Sequence, residues 1–291
     1  MKSLATFFSQ RSAPLALLLG KLFARKVVLA AALVLALVVC VAALVPWLSD
    51  ADPNAITVTE RLFAPSWVHW AGTDELGRDV LLRIVHGARY SLLIGFVTAA
   101  GAVVLGTLMG VLAGFFRRLD APLMRLVDAM MSFPDILLGI ALVSILGVSL
   151  WNVMLALVIV YTPRVARVVR AATLVLRELL FVDAARALGV RTPRILWSHI
   201  LPNLMSPILV QVTFIFAYAI LAEAGLSFLG VGVPPDIPTW GTMIAGSLEY
   251  SDRAFWTILF PGLAIVLTAV SLQLLGDGVR DLLDPKLKKA V

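Results

Sequence analysis

The chain has 291 residues, of which 60% are apolar and 14% are charged, and its mean hydropathy is +0.97. Soluble globular proteins carry about 45–50% apolar and about 25% charged residues, so this balance excludes a cytosolic enzyme, a secreted domain and a nucleic-acid-binding protein. The formal net charge of +6 therefore has to be read by position along the chain, and the single cysteine, Cys40, excludes a disulfide framework or a cysteine-based zinc site.

Five runs without Asp, Glu, Lys or Arg are long enough for a helix to cross about 30 Å of hydrocarbon. The first is interpreted as a retained transmembrane helix over 27–48, because no small-residue cleavage site follows it, and it is preceded by a cytosolic segment over 1–26. The five runs are residues 27–49, 90–116, 136–163, 195–222 and 254–276.

The third run contains a Gly-Val-Ser sequence at 147–149, near its middle. A turn there separates a helix that starts near Leu123 from another over 151–169, which gives six crossings. With both termini in the cytosol, 19 of the 24 Lys and Arg residues lie on the cytosolic side, in agreement with the positive-inside rule. The sequence therefore predicts an all-α integral membrane protein with six transmembrane helices. Five of them form a core over 90–276, followed by a cytosolic tail over 277–291.

The predicted outer loop over 49–89 is too long for a simple turn between two crossings. Its last part places apolar residues on one helical face and Asp79, Arg83, His86 and Arg89 largely opposite. This pattern predicts a short amphipathic helix on the outer membrane surface. A packed loop helix without a direct role is the alternative. The apolar face consists of Val80, Leu81, Ile84, Val85 and Ala88.

The second run contains three glycines at four-residue spacing, Gly106, Gly110 and Gly114. This spacing puts all three on one helical face, where another helix can approach closely. We interpret them as a helix-packing surface rather than a gating element. The sequence leaves open whether the partner helix belongs to the same chain.

The segment over 175–202, between the predicted fourth and fifth crossings, has the features of ordered structure. Alanine-rich sequence up to Leu188 favours a helix, and Gly189 suits the left-handed position that follows a helix end. Thr192 is a suitable N-cap for a second helix, and Pro202 is expected to end or kink that helix as it enters the membrane. Such a compact unit, with apolar residues beside arginines, predicts a docking surface for a partner protein on the cytosolic side.

The same segment resembles the EAA loop of ABC importer permeases in residue type and spacing, and His199 fits the variant of the peptide- and nickel-import branch. Asp183 stands where the family usually has glutamate, which keeps the charge and shortens the side chain. Further blocks, in the same order along the chain, resemble the "C" permease subunit of that branch. The EAA-like residues are Asp183, Ala184, Ala185, Gly189, Leu201 and Pro202, and the further blocks are 72–79, 226–232 with 240–241, and 276–285.

This resemblance implies a type I ABC importer permease of a prokaryotic inner membrane, paired with a homologous second permease subunit. It also implies two ABC ATPase domains, which bind ATP and Mg, and an external substrate-binding protein. Di- or oligopeptides are the implied cargo, with nickel chelates or other small peptide-like solutes as the alternative. In the family the EAA segment is a coupling helix seated on the ATPase. By resemblance, coupling involves Asp183, Ala184, Ala185 and Gly189, with Leu201 and Pro202 at the return into the membrane.

The sequence contains no nucleotide-binding motif of its own. Gly-x4-Gly-Lys-Ser/Thr is absent, so the chain has no P-loop, and we expect no cofactor bound by this chain. His69, His86 and His199 lack metal-ligand spacing, which predicts no metal site.

Two other function classes are weighed against a permease. A six-helix intramembrane hydrolase is one, but residues 225–230 only approximate Gly-x-Ser-x-Gly, and Asp128, Asp135 and Tyr161 match no catalytic motif. A membrane scaffold without a pathway is the other, and the ordered cytosolic segment argues against it.

Glu223 is an acidic residue inside the predicted fifth crossing. A charge within the membrane is costly, so Glu223 is expected to face a cavity or a partner. Either it lines the pathway and meets a cationic part of the substrate, or it is an interface residue bonded to backbone or to the second permease.

Overall fold

The computed structural model of the protein describes residues 25–48 and 51–283. Within those ranges the chain consists of helices and loops, with one isolated β-bridge between Thr73 and Asp79. The predicted all-α fold is confirmed. In chain order the α-helices are α1 (Lys26–Leu48), α2 (Val80–Phe115), α3 (Arg117–Met131), α4 (Asp135–Leu146), α5 (Leu150–Arg177), α6 (Leu180–Ala187), α7 (Thr192–Ile195), α8 (Leu201–Phe228), α9 (Trp240–Gly246) and α10 (Trp256–Leu283).

Two predicted segments fall mainly outside the described residues. The predicted N-terminal segment 1–26 is described only from residue 25 onwards, and the predicted tail over 277–291 only up to residue 283. The motif block over 276–285 is likewise described in part.

Five helical segments are long and apolar enough to cross a membrane, and the pair α3–α4 would be a sixth if the two helices together form one span. The five are α1, α2, α5, the continuous segment Thr192–Phe228 and α10. The described helices therefore support a multi-pass membrane protein.

The predicted third crossing is not the continuous helix expected to start near Leu123. The chain bends by 93° between α3 and α4, at residues 132–134. Pro134 explains the break, because a proline disfavours helical geometry in the residue before it and cannot donate a backbone hydrogen bond. The predicted turn at 147–149 is present, with Gly147 at a φ of 88°.

The predicted surface helix near the end of the outer loop is not a separate element. Val80 begins α2, and this helix continues without interruption for 36 residues to Phe115. Its supposed polar face is not fully solvated either, since Arg83 is only 3% exposed and donates to the Asn54 side chain over 2.9 Å. The outer loop covers Arg83, and this stretch is the first part of the long helix α2 rather than a separate helix on the membrane surface.

Helix α2 lies at the centre of the bundle and packs against α5 and α8. Helix α10 packs on the other side of α8, and α1 lies at the periphery against α10 and α2. Leu33 and Leu37 on α1 are more than 60% exposed, as expected for a helix that faces lipid. The main core is formed by α2, α5 and α8 around residues such as Ile94, Met154 and Ile215.

The chain alternates between two ends of the bundle. Segments 51–79 and 229–255 form one end, which we call the cap end; α3, α6 and α7 lie at the other, which we call the α6 end. The side chains of Arg25 and Asp281 form an ion pair, so α1 begins where α10 finishes. The start of α1 and the end of α10 therefore lie together at the α6 end.

Helix α7 passes into α8 through one π-helical turn, Leu196–Ile200, rather than through a kink at Pro202. Proline has no N–H and its ring displaces the preceding turn, and the wider π turn accommodates both effects. Thr192 is the first residue of α7 and provides no side-chain cap, so its predicted N-cap role is wrong by one position.

Candidate functional site: the α6 surface and the polar residues of the bundle

Helix α6 presents one face to the bundle and another to its surroundings. Val182 and Ala185 are buried in the main core, at 0% and 7% exposure, and they fix the helix against the rest of the chain. Asp183 and Ala184 lie on the exposed side, and the Asp183 carboxylate pairs with Arg186 over 3.1 Å. The predicted coupling residues thus divide into a buried anchor, Ala185, and an exposed pair.

Gly189 shapes the end of α6. Its φ is +72°, a conformation that residues with a side chain rarely adopt. The Gly189 N–H donates to Arg186 O over 2.9 Å and the Val190 N–H donates to Ala185 O over 3.0 Å. These two bonds form a Schellman motif, in which a left-handed residue ends the helix and reverses the chain. A side chain at Gly189 would meet no atom within 4 Å, so only its backbone conformation is restrictive.

Leu201 and Pro202 begin α8, immediately after the π turn. They lie on the membrane-spanning segment rather than on the exposed face of α6, and Leu201 packs against the main core. The ring of His199, in the π turn, lies 6.2 Å from the ring of Phe181 on α6. This contact joins the two halves of the predicted loop.

The exposed face also carries apolar side chains that were not among the predicted site residues. Leu180 and Leu188 are 86% and 83% exposed, and Trp197 is 74% exposed. Their signal in the sequence is apolar residues within a charged segment that is predicted to be cytosolic. Water-exposed apolar groups of this size at one end of a fold indicate a surface that a partner covers.

The three glycines of α2 face α5 of the same chain. A Cβ atom at Gly106 would lie 2.5 Å from Val165 Cβ, and one at Gly110 would lie 2.6 Å from the carbonyl oxygen of Ala166. At Gly114 the corresponding distance to Thr173 Cβ is 2.6 Å. All are far shorter than a van der Waals contact, so the approach of α2 to α5 requires glycine. The added Cβ atoms would also lie close to atoms of Thr162, Val169 and Arg170 on α5.

Glu223 lies on α8 and is 1% exposed. Its Oε1 atom accepts hydrogen bonds from Ser227 Oγ and from Thr239 Oγ1, each at 2.8 Å. Thr239 is the N-cap of α9, so the carboxylate joins α9 to α8. The side chain is enclosed within the chain, and this placement favours the structural interpretation; a contact with substrate stays a prediction.

Three aspartates of α3 and α4 pair with three arginines of α5. The pairs are Arg164–Asp135 at 3.2 Å, Arg167–Asp128 at 2.6 Å and Arg170–Asp120 at 2.5 Å. The arginines are spaced by three residues and so lie along one side of α5. No sequence motif marks these residues, because the paired side chains lie 29, 39 and 50 residues apart in the chain.

The loop 72–79 at the cap end is organised around Asp74. One oxygen of its carboxylate accepts the N–H groups of Leu76 and Arg78, each at 2.9 Å, and the other accepts from Arg78 Nε at 2.6 Å. Trp256 Nε1 on α10 donates to the carbonyl oxygen of Thr73 over 3.2 Å. The loop is therefore a folded cap that is attached to the bundle.

Glu75 is the titratable group of this cap with a shifted pKa. Burial of its carboxyl group, and secondarily the nearby Asp74 carboxylate, raise the pKa of Glu75. Arg78, which donates to Glu75 Oε1 over 2.8 Å, acts in the opposite direction but does not cancel the shift.

The model of one protein family, described as "Binding-protein-dependent transport system inner membrane component", matches residues 102–289. The chain belongs to this family. Among its relatives is the dipeptide transport system permease protein DppC of Alkalihalophilus pseudofirmus, 45% identical, with 86% of this chain and 83% of the relative aligned. The di/tripeptide transport system permease protein DppC of Pseudomonas aeruginosa is 44% identical over 87% and 86% of the two chains.

A third relative of this inner membrane component is the glutathione transport system permease protein GsiD of Pectobacterium atrosepticum, 40% identical over 90% and 88% of the chains. A solved chain of the MetNI methionine ABC transporter, in inward-facing conformations, shares the fold with a TM-score of 0.60 and 21% identity. It covers 70% of this chain and 98% of that chain. The predicted family, ABC importer permeases, is confirmed.

Membership of a family of transport-system components also argues against an intramembrane hydrolase. Ser227, the serine of the approximate Gly-x-Ser-x-Gly sequence, donates its hydroxyl to Glu223, and neither residue is paired with a histidine in the described structure. The arrangement joins α8 to α9.

Proposed function

We propose that this inner membrane component is the permease subunit of an ATP-driven importer of di- or oligopeptides. The observation that carries the proposal is the close similarity, over most of the chain, to permeases named for dipeptide and di/tripeptide transport. The chain would form half of a translocation pathway, and a homologous second permease would form the other half. Nickel chelates or another small peptide-like solute are the alternative cargo.

In the proposed topology the chain crosses a bacterial inner membrane six times, with both termini in the cytosol. The α3–α4 pair would provide the third crossing, since α4 alone has 12 residues and would span only about 18 Å at 1.5 Å per residue. The Arg25–Asp281 ion pair supports termini on the same side. The excess of Lys and Arg in segments at the α6 end supports a cytosolic position for that end.

The exposed face of α6 is proposed to couple this permease to its ATPase. Asp183, Ala184 and Gly189 would form the contact, together with the apolar Leu180 and Leu188. Val182 and Ala185 tie α6 to the main core, so a displacement of α6 is transmitted to the membrane-spanning helices. ATP and Mg would be bound by the two partner ATPase domains, and an external binding protein would deliver substrate at the cap end.

The proposal is tested by reconstituting the complete importer in liposomes and measuring uptake of radiolabelled dialanine together with ATP hydrolysis. Leu188→Asp is expected to reduce peptide-stimulated ATP hydrolysis and uptake by about tenfold or more, equivalent to about 1.4 kcal/mol of lost coupling. Leu248→Asp, which changes a 38%-exposed leucine at the cap end, is the matched control and should retain stimulation by the peptide.

Two outcomes would contradict the proposal. If the wild-type importer takes up a nickel chelate but no peptide, the proposed cargo is wrong, whereas the proposed importer function stands. Unchanged coupling in Leu188→Asp would remove the α6 surface from the ATPase contact.

A further inference from the structure

Four polar side chains from three helices meet beside a cavity of about 310 Å³. Asp135 is the first residue of α4 and its Oδ2 accepts from Arg164 over 3.2 Å. The Arg164 guanidinium lies over the rings of Tyr161 and Tyr218, at 5.8 and 5.1 Å from their centroids. Asp135, Tyr161 and Tyr218 line the cavity directly, and its remaining walls are apolar side chains of α4, α5 and α8.

This cluster lies between the two ends of the helices that form it. Arg164 is 14 residues from the start of α5 at Leu150, which corresponds to about 21 Å along the helix axis. Tyr218 is 10 residues from the end of α8 at Phe228, or about 15 Å by the same rise. Counted from these two helix ends, the cluster lies about 15–21 Å into a membrane core of about 30 Å, toward the α6 end.

The open side of the cluster cannot face lipid. The side chains of Asp135 and Arg164 are 51% and 39% exposed, and charged groups at this depth are excluded from hydrocarbon. The apolar, exposed surface of α1 shows what the lipid-facing side of this chain looks like. The cavity therefore opens toward the second permease and the space between the two subunits.

The chemistry of the cavity suits an ammonium group attached to a small organic body. Asp135 has a second carboxylate oxygen without a hydrogen-bond partner among the described residues. The hydroxyl oxygens of Tyr161 and Tyr218 can also accept hydrogen bonds, whereas Arg164 lies over the rings of both tyrosines. A volume of about 310 Å³ lies at the lower end of the range of about 300–1,000 Å³ for ligand pockets.

We propose that this cavity is a peptide subsite of the transport pathway, where Asp135 binds the protonated amino terminus of the passing peptide. Tyr161 and Tyr218 form its walls. This inference rests on the proposed peptide-import function.

The first test compares two aspartates of the same ion-pair series in the reconstituted importer. Asp135→Asn removes the charge at the cavity, whereas Asp128→Asn removes the equivalent charge opposite Arg167, away from the cavity lining. At saturating binding protein, Asp135→Asn is expected to lower the rate of dialanine uptake at least about tenfold, which corresponds to about 1.4 kcal/mol. Asp128→Asn should stay within about twofold of wild type. Dialanine has no side-chain ammonium, so the effect reports on the peptide terminus alone.

A charge exchange separates binding from a purely structural ion pair. The double variant Asp135→Arg with Arg164→Asp keeps an ion pair between α4 and α5 but places a cation at the cavity lining. If the pair only joins the helices, the exchange restores uptake and overturns the proposal. If Asp135 binds the ammonium group, uptake remains as low as in Asp135→Asn although the importer assembles normally.

A direct measurement uses a photoreactive benzoylphenylalanine in the complete importer. Leu221 lines the cavity and is 43% exposed, so the label there should crosslink radiolabelled dialanine during turnover. The same label at Leu37 on lipid-facing α1 is the control. If the labelled importer takes up dialanine at the wild-type rate but residue 221 does not crosslink to it, the subsite is overturned and the importer function stays intact. If the wild-type importer takes up no dialanine, the importer function itself is overturned.

Discussion

Arg177, in the last turn of α5, donates a hydrogen bond of 2.7 Å to the carbonyl oxygen of Gly114, near the end of α2. The last carbonyl groups of a helix have no partner within the helix, and this arginine satisfies one of them. The bond stands at the end of a seam in which Gly106, Gly110 and Gly114 allow α2 to lie directly on α5. The two helices form the most extensive contact of the bundle, and α6 packs against the main core to which both contribute.

Gly110→Ala is expected to destabilise the protein by about 1–3 kcal/mol, as overpacking does in closely packed interiors. The added Cβ would lie 2.6 Å from the backbone carbonyl oxygen of Ala166, which cannot move aside as a flexible side chain would. Thermal unfolding in detergent measures the effect. Gly262→Ala is the matched control, because a Cβ there meets nothing within 4 Å. Equal stability of the two variants would show that the seam tolerates more space between the helices.

Substitutions at Gly189 are expected to separate backbone strain from side-chain bulk. Gly189→Val places a β-branched residue at a φ of +72°, where L-residues lose roughly 1–2 kcal/mol per residue. Gly189→Asn should be tolerated, since asparagine visits this conformation more readily. We expect ATP hydrolysis to become uncoupled from uptake in the valine variant and to stay coupled in the asparagine variant. Uncoupling in both would assign Gly189 a direct contact with the ATPase.

Glu223→Gln and Glu223→Ala should behave differently. Glutamine keeps an oxygen that accepts from Ser227 and Thr239, and the uptake of peptide should remain close to wild type. Alanine leaves both buried hydroxyl groups without this acceptor, which costs about 1–3 kcal/mol. Thermal unfolding and uptake are measured together. A glutamine variant with normal stability but lost uptake would place Glu223 in the transport pathway instead.

Glu75 is expected to make the stability of the cap depend on pH. Because its pKa is raised in the folded protein, the folded state binds this proton more tightly than the unfolded chain. Its favourable contribution is therefore complete below the ordinary pKa of 4.5 and is lost as the pH rises through the raised pKa.

Glu75→Gln removes this titration, so the variant should gain stability relative to wild type as the pH increases from about 4 to about 7. Hydrogen exchange of the Leu76 and Arg78 amides, corrected for the intrinsic pH dependence, reports on the cap directly. These amides are suitable because both donate to Asp74 within the loop. A difference that does not change with pH would contradict the assignment to Glu75.

Local features of the sequence predicted several elements correctly because their causes are local. A long apolar run specifies α1 whatever surrounds it, and Gly189 ends α6 because glycine is the residue that adopts a left-handed conformation without strain. The turn at Gly147 has the same origin. The family, too, was accessible, since its motifs are defined by residue type and spacing.

Other features depended on contacts between segments that are distant in the chain. The polar face near Arg83 predicted a surface helix, but Asn54, 29 residues away, covers that arginine, and the helix joins α2. Asp135 and Arg164 matched no motif because they lie 29 residues apart in the chain and meet only where α4 packs against α5. Sequence alone therefore determined that this is a membrane protein and where the turns at Gly147 and Gly189 lie, but not where α2 and α3 begin. The tertiary structure decided which charges meet, because the partners of an ion pair are neighbours in space rather than along the chain.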